Sequence, residues 1–327
     1  MKILVSGGSG FIGSHLVTKL VQDGHEVRVL DDLSSGDVRN LDAVKHLITF
    51  KVGSVAHLPT VEYMAKGVDT IFHLATQCLM MGIDSPGLLH EVNDVGTFNI
   101  CMAAKENNCK IVYIGTSEEY GNQDKFPIKE NAPFRPESLY ALTKCIGEQY
   151  VKFFQDTYNV RAVIIRPFNT FGPLQREDLD MERLMKGFNA YSGVITSFVK
   201  RLEKKQSPVI FGDGLQSRDF TYVTDIVDGM ILLSKLEHCE TVNIGYGRDL
   251  SVLDINAVLQ NVWFGGTLEN PEESEHLPVI FAPARQRDIR KLLPDITLAK
   301  YYGYAPKVSP EEGLCRYVDW WKQKATK

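Results

Sequence analysis

The sequence predicts an α/β fold, namely a doubly wound parallel sheet joined to a smaller α/β lobe. Short runs rich in valine and isoleucine recur along the first half of the chain, with helical patterns between them. That alternation is typical of crossover units whose parallel sheet is covered by helices on both faces. The runs that we predict as strands are residues 3–5, 27–30, 48–52, 70–74, 111–115 and 162–166.

The turn after the first strand predicts a dinucleotide site. It carries Gly7, Gly10 and Gly13, and an amphipathic stretch follows at once. Glycine lets a strand turn sharply into a helix and lets a pyrophosphate approach bare backbone, while the helix N-terminus offers unpaired N–H groups. The next strand ends in Asp31 and Asp32, about twenty residues on, where such folds place an acid on the ribose.

Asp31 also favours NAD over NADP. A carboxylate accepts hydrogen bonds from the 2′- and 3′-hydroxyls of adenosine, whereas it repels a 2′-phosphate. NADP stays the alternative cofactor, because Arg28 and Arg39 lie nearby in the sequence.

The pattern changes near residue 168, beyond which come charged segments, short strands and a proline-rich stretch. A chain of 327 residues is long enough for two units. We therefore expect a cofactor domain at 1–168. A second lobe, which mainly binds the substrate, follows at 169–327. This part of the chain can also add a strand to the main sheet.

The composition argues against several classes of partner. The chain has 36 lysines and arginines against 41 aspartates and glutamates, a formal net charge of −5, and no basic cluster that suits nucleic acid. Its six cysteines form no CxxC pair, so we expect reduced thiols and a cytoplasmic protein. We see no signal peptide, no stretch of membrane-spanning length and no metal-ligand spacing of His, Cys and Asp.

Tyr140 and Lys144 are the first candidates for catalysis. Four residues apart in a helical segment, they project from one face, and an ammonium beside a phenol favours the phenolate. The pair then acts as a general base or acid near neutral pH. It follows a buried strand that opens into polar groups at Thr116 and Glu118, and ligands of doubly wound sheets bind at such strand ends.

These motifs together resemble the extended short-chain dehydrogenase/reductase family, in its NAD-dependent nucleotide-sugar epimerase/dehydratase branch, and the match runs nearly end to end. The resemblance implies a Rossmann-type sheet and catalysis by Thr116, Tyr140 and Lys144. Gly53-Ser54 departs from the usual Gly-Asp, which puts one adenine contact in doubt. The residues that the resemblance implies for NAD are Gly7, Gly10, Phe11, Ile12, Gly13, Asp31, Asp32, Ser34, Gly36, Leu74, Ala75, Tyr140 and Lys144.

The second lobe resembles the same family in three segments. They imply that Asn169, Arg218, Arg285 and Asp288 bind a nucleotide sugar, that is a UDP-, dTDP- or GDP-hexose. Fork-shaped guanidinium groups suit a diphosphate, which agrees with that assignment.

The family chemistry passes through a 4-keto sugar, after which a 4-epimerase, a 4,6-dehydratase and a decarboxylase diverge. Glu118 slightly favours the NDP-hexose 4,6-dehydratase, because removal of the C5 hydrogen needs a carboxylate base. The alternative is a UDP-hexose 4-epimerase, because residues 191–195 resemble a substrate loop that is more often found in epimerase-like members of the family. Ser117 stands where some dehydratases place an acid. A UDP-glucuronate decarboxylase or a non-catalytic NAD-binding regulator fits less well.

We also expect a homodimer. The helical patterns at 88–105 and 139–155 carry apolar residues over more than one stripe, and the resembling family often pairs two such helices across a two-fold axis.

Overall fold

A computed structural model describes residues 1–78, 85–175, 193–237, 240–268, 276–285 and 288–325. The strands are β1 (Lys2–Ser6), β2 (Glu26–Asp31), β3 (Ile48–Val52), β4 (Thr70–His73), β5 (Lys110–Ile114), β6 (Ala162–Pro167), β7 (Asn169–Phe171), β8 (Val209–Phe211), β9 (Ser217–Arg218), β10 (Phe220–Tyr222), β11 (Thr241–Ile244), β12 (Leu250–Ser251), β13 (Ile280–Ala282) and β14 (Lys291–Leu292). The α-helices are α1 (Phe11–Gln22), α2 (Leu58–Ala65), α3 (Pro86–His90), α4 (Gly96–Asn107), α5 (Leu139–Tyr158), α6 (Val194–Glu203), α7 (Val223–Leu233), α8 (Val252–Trp263), α9 (Thr297–Tyr301) and α10 (Pro310–Ala325).

Seven strands form one parallel sheet in the order β11-β6-β5-β4-β1-β2-β3. Every residue of β5 and β6 is buried, as expected for central strands covered on both faces. The predicted doubly wound, Rossmann-type sheet is confirmed.

Alternate residues of the strands face two different helix layers. Val5 belongs to a core that includes side chains of α1 and α7, whereas Leu4 belongs to a core shared with α2, α4 and α5. Burial of apolar area on both faces of the sheet stabilises the folded protein by about 25 cal/mol per Å². The sheet is thereby held rigid, and its carboxyl edge offers a fixed platform for a site.

The second half of the chain builds a smaller lobe and also returns to the main sheet. The lobe contains the strand groups β10-β7, β12-β9-β14 and β13-β8, and its core joins α6, α8 and α10. β11 pairs with β6 in the large sheet, and α7 packs on that sheet beside α1. A single cut at residue 168 therefore leaves part of the later chain within the first unit.

Candidate active site

The glycine-rich turn has the shape of a phosphate cradle. Gly7 has a φ of +73°, and a Cβ there would lie 2.6 Å from the backbone nitrogen of Ala75. A Cβ on Gly13 would lie 2.1 Å from the oxygen of Gly7. α1 begins at Phe11 behind Gly10, which supplies no side-chain cap, so the N–H groups of its first turn are open to an anion.

Asp31 closes the adenosine end of this turn. Its side chain lies at the end of β2, where the residue is 6% exposed. Oδ2 accepts the N–H of Ser9 and Oδ1 that of Leu33, both at 2.9 Å. A Cβ on Gly36 would meet Ser9 Oγ at 2.3 Å. The carboxylate is therefore fixed against the glycine turn, in a position that fits the ribose of a dinucleotide.

Hydrogen bonds join the loop after Asp31 to the segment that follows β4. Not all of the residues that make them were predicted from the sequence. Asp32 Oδ1 accepts the backbone N–H of Ser34 at 2.9 Å and its hydroxyl at 2.5 Å. Ser34 Oγ in turn accepts a hydrogen bond from Gln77 at 2.8 Å. Gln77 stands three residues after Leu74, and only this contact reveals its part.

The floor between the glycine turn and α5 is a buried polar chain. Thr97 donates its hydroxyl to the carbonyl of Asn93 at 2.6 Å, so it accepts from Nε2 of His73 at 2.9 Å. Nδ1 of His73 then accepts the hydroxyl of Ser6 at 2.7 Å. Burial lowers the pKa of His73 to about 3. The ring is thus a neutral packing residue.

Asn93 extends that chain to the catalytic helix. Its Oδ1 accepts the N–H of Gln77 at 2.7 Å, and its Nδ2 donates to Thr143 Oγ1 at 3.0 Å. Thr143 precedes Lys144 on α5, so the strand end and the helix are held in register at this point.

The structure brings Thr116 and Tyr140 together. α5 begins at Leu139, and Ser138 caps it by accepting the N–H of Ala141 at 3.1 Å. Thr116 caps the short helical turn that follows β5, and its side chain hydrogen-bonds Tyr140. A hydroxyl beside a half-buried phenol marks the place where a proton can be exchanged with a ligand.

The pKa of Tyr140 differs from the sequence expectation. Burial raises it, and the Thr116 hydrogen bond opposes that rise. The ammonium of Lys144 instead lies 4.4 Å from the centroid of the Tyr113 ring. Its charge interacts with Glu119, Glu148 and Asp94. In the protein alone, Lys144 therefore does not lower the pKa of Tyr140 toward neutral pH, because the effect of desolvation is larger.

Glu118 connects the catalytic pair with the second lobe. Its carboxylate interacts with Tyr140 on one side and with Arg218 and Asp288 on the other. Arg218 Nη2 lies 3.1 Å from Asp288 Oδ1. Burial raises the pKa of Glu118, and Arg218 lowers it in part. Of the predicted residues, Glu118 therefore lies close enough to Tyr140, Arg218 and Asp288 to interact with them electrostatically.

The second lobe offers a cleft beside this junction. It encloses about 280 Å³ and is lined by Phe211, Gly212, Asp213, Gln216, Ala284, Arg285, Asp288, Ile289 and Arg290. The guanidinium of Arg285 lies 4.3 Å from the centroid of the Phe211 ring.

Asn169 begins β7, and its Oδ1 is buried without a hydrogen-bond partner among the described residues. A buried acceptor of this kind favours a donor from a ligand or from water. Tyr191 and Ser192, the first two residues of the epimerase-like segment at 191–195, lie outside the described residues.

A buried ion cluster of Glu119, Glu148 and Arg166 lies behind the catalytic pair, and the sequence reasoning missed it. Arg166 Nη2 lies 2.6 Å from Glu148 Oε1, and Arg166 Nε lies 3.1 Å from Glu119 Oε2. The Arg166 guanidinium also packs between the rings of Tyr120 and Phe134. The available signal was an arginine inside an otherwise apolar strand.

Within the described parts of the chain, no three His, Cys, Asp or Glu side chains are grouped as metal ligands would be. None of the helices described is both long and apolar enough to cross a membrane.

Comparison with known proteins agrees with this geometry. A model of the NAD dependent epimerase/dehydratase family matches residues 3–245. A putative UDP-glucose 4-epimerase of Methanocaldococcus jannaschii is 32% identical over 324 residues, covering 98% of both chains. Two solved structures are each 31% identical over 99% of this chain. They are a UDP-N-acetylglucosamine 4-epimerase from Methanobrevibacter ruminantium M1 (98% of that chain, TM-score 0.88) and a UDP-glucose 4-epimerase from Thermotoga maritima (100%, TM-score 0.87). The chain belongs to the NAD dependent epimerase/dehydratase family.

Proposed function

We propose that this protein is an NAD-dependent 4-epimerase of a UDP-hexose. The observation that carries the proposal is the pair of Thr116 and Tyr140 beside Lys144, in a chain whose cited relatives are named as 4-epimerases of UDP-sugars.

This proposal replaces the slight preference for a 4,6-dehydratase, which rested on Glu118. Elimination of water needs an acid for the departing hydroxyl as well as a base. Ser117, the neighbouring position, is only 4% exposed and carries a hydroxyl in place of a carboxyl group. Glu118 itself faces Arg218 and Asp288, so its carboxylate has a binding role available without elimination.

The cradle of Gly7, Gly13 and Asp31 fits NAD, which supplies the hydride acceptor and donor when bound. Tyr140 in its phenolate form accepts the proton of the C4 hydroxyl, becomes the neutral phenol, and returns that proton after the sugar has turned. Thr116 hydrogen-bonds the reacting oxygen, and Lys144 binds the cofactor ribose as an ammonium. Each proton therefore moves between Tyr140 and the C4 oxygen alone.

The second lobe binds the nucleotide part of the substrate, which does not move during the reaction. Arg218 and Arg285 carry the forked donors that suit a diphosphate, and Asn169 carries a side-chain amide whose buried Oδ1 has no hydrogen-bond partner among the described residues. Asp288 fixes Arg218 at 3.1 Å and reaches the nucleotide ribose. Because these groups bind the nucleotide, the hexose is free to present either face to the cofactor.

The test is an incubation of the NAD-loaded protein with UDP-glucose, UDP-galactose and UDP-N-acetylglucosamine in deuterium oxide. We expect a product of unchanged mass, inverted at C4 and without deuterium, since no carbon-bound hydrogen meets solvent. A 4-keto-6-deoxy product with deuterium at C5 would overturn the epimerase proposal. Tyr140→Phe is the control, because it removes only the phenolic hydroxyl and should abolish turnover while retaining NAD.

We also propose a homodimer through α4 and α5. An apolar cleft of about 460 Å³ runs between these helices, and we name it the helix-pair surface. Phe153 in it is 55% exposed and Phe98 is 40% exposed. Such contiguous aromatic exposure favours an interface. The cleft is lined by Phe98, Met102, Gln149, Tyr150, Phe153, Phe154 and Tyr158.

A further inference from the structure

The catalytic helix carries a buried glutamate one turn beyond the lysine. Tyr140, Lys144 and Glu148 recur at intervals of four residues, so they share one face of α5. The side chain of Glu148 has no exposed surface, and its two oxygens lie 2.6 and 2.9 Å from nitrogens of Arg166. That face therefore continues from the reacting phenol into the buried ion cluster.

Glu119 links the same cluster to the other half of the catalytic pair. Its Oε1 accepts the backbone N–H of Thr116 at 3.0 Å, while Oε2 lies 3.1 Å from Arg166 Nε. Arg166 Nε donates its hydrogen to Glu148. Glu119 Oε2 consequently has an ionic neighbour but no hydrogen-bond donor among the described residues. This one carboxyl group touches the backbone of the catalytic threonine and the cluster behind Lys144.

Burial and the neighbouring Glu148 both raise the pKa of Glu119, and Arg166 and Lys144 oppose the rise. Burial lowers the pKa of Lys144 to about 8, and ionised Glu119 opposes that lowering by favouring the ammonium form. The two groups are thus electrically linked inside a site that excludes water. The titratable or charged side chains that interact with Glu119 are Glu148, Arg166, Lys144, Tyr113, Tyr140 and Cys145.

We propose that Glu119 is a positioning residue of the catalytic site, which holds Thr116 through its backbone N–H and supplies, in the buried ion cluster behind Lys144, a negative charge that balances the ammonium of that lysine. The inference rests on the proposed function for its kinetic consequence. Glu119 has no exposed surface, so it acts through Thr116 and Lys144 and not on the substrate.

The decisive variant is Glu119→Gln, which keeps an acceptor for the Thr116 N–H but cannot ionise. We expect kcat near the wild-type value at pH 6.5. The alkaline limb of the kcat profile should move to lower pH by about one unit or more, the usual effect of removing an opposite charge from a buried ammonium. KM for the sugar nucleotide should stay unchanged. An unshifted alkaline limb would overturn the proposal.

Two further variants separate charge from packing. Glu119→Asp keeps the charge but withdraws it from Thr116, so its alkaline limb should match the wild type while kcat falls at every pH. Glu130→Gln is the matched control, because Glu130 is also a partly buried carboxylate near Arg166, and its side chain accepts the N–H of Asn243 at 3.1 Å. It should leave the limb in place. If Glu119→Gln does not fold, a shifted limb in Glu119→Asp overturns the proposal by itself.

A titration with NADH, followed by its fluorescence from pH 6.5 to 9.5, needs no sugar chemistry. The affinity of Glu119→Gln should fall at a lower pH than that of the wild type, since Lys144 loses its proton earlier. A wild type that turns over no UDP-hexose would end the proposed function but leave this titration valid. Identical pH dependence of NADH affinity in both proteins would end the proposal for Glu119.

Discussion

Asp31 Oδ2 lies 2.9 Å from the backbone nitrogen of Ser9, so the acid that ends β2 is fastened to the glycine-rich turn. The contact orients the carboxylate before any cofactor arrives. A preoriented acceptor loses less entropy on binding than a free one.

Asp31→Ala should therefore weaken NAD binding by about 10- to 100-fold, the value of one or two hydrogen bonds to a charged group. It should also narrow the preference for NAD over NADP, because a source of repulsion for the 2′-phosphate is gone. Calorimetric titration with both cofactors measures this. Asp42→Ala removes an exposed carboxylate paired with Lys45 and should change neither affinity. Unaltered NAD binding in Asp31→Ala would place the ribose acid elsewhere, first at Asp32.

Arg218 should contribute to substrate binding more than to chemistry. We expect Arg218→Ala to raise KM for UDP-hexose by about 10- to 100-fold, because a charge-assisted contact to the diphosphate is lost. NAD affinity should be retained. Initial rates over a range of substrate concentrations test the split. A variant with unchanged KM and reduced kcat would show that Arg218 acts on the reacting sugar and not on the nucleotide.

The helix-pair surface should hold two copies together. Light scattering of the wild type at micromolar concentration should give twice the mass of the chain, and Phe153→Lys should give the monomer, since a charge would be buried unpaired. Tyr63→Lys alters an aromatic side chain on α2 that is 71% exposed and should leave the mass unchanged. A monomeric wild type would contradict the homodimer.

Arg166→Leu should lower the free energy of unfolding by about 3–5 kcal/mol at pH 7.5, because it strands buried carboxylates without their cation. Arg166 holds the pKa of Glu148 below its ordinary value. The stabilisation of the folded protein by this pair is therefore fully present above the pKa of Glu148 in the unfolded chain, and it is lost as the pH falls through the pKa of Glu148 in the folded protein. The penalty of the variant should shrink toward pH 5, because without Arg166 the buried carboxyl group of Glu148 has a raised pKa and takes a proton there.

Urea unfolding at pH 7.5 and 5 measures the difference. Arg316→Leu, which breaks an exposed pair with Glu312, should cost less than about 1 kcal/mol at either pH. An equal loss for Arg166→Leu at both pH values would mean that packing between Tyr120 and Phe134, and not charge, carries the effect.

Several elements follow from the sequence because their signals are local. The glycine turn, the Val- and Ile-rich strands and the Tyr140–Lys144 spacing each depend on residues within one or two turns of chain, and periodicity reports them. The sequence thus determined the parallel sheet, its family and the place of the cofactor cradle. The sequence did not decide between the proposed epimerase and a dehydratase, because Glu118 can bind substrate as well as act as a base.

Only the tertiary structure decided which distant side chains meet. It returns β11 to the edge of the main sheet, sets Glu118 beside Arg218 and joins Glu119 to Arg166 at 3.1 Å. It also reverses the expected direction of the Tyr140 pKa, since burial is a property of the whole packed site. Long-range contacts and desolvation depend on how the layers close over one another, and no local pattern in the chain encodes that closure.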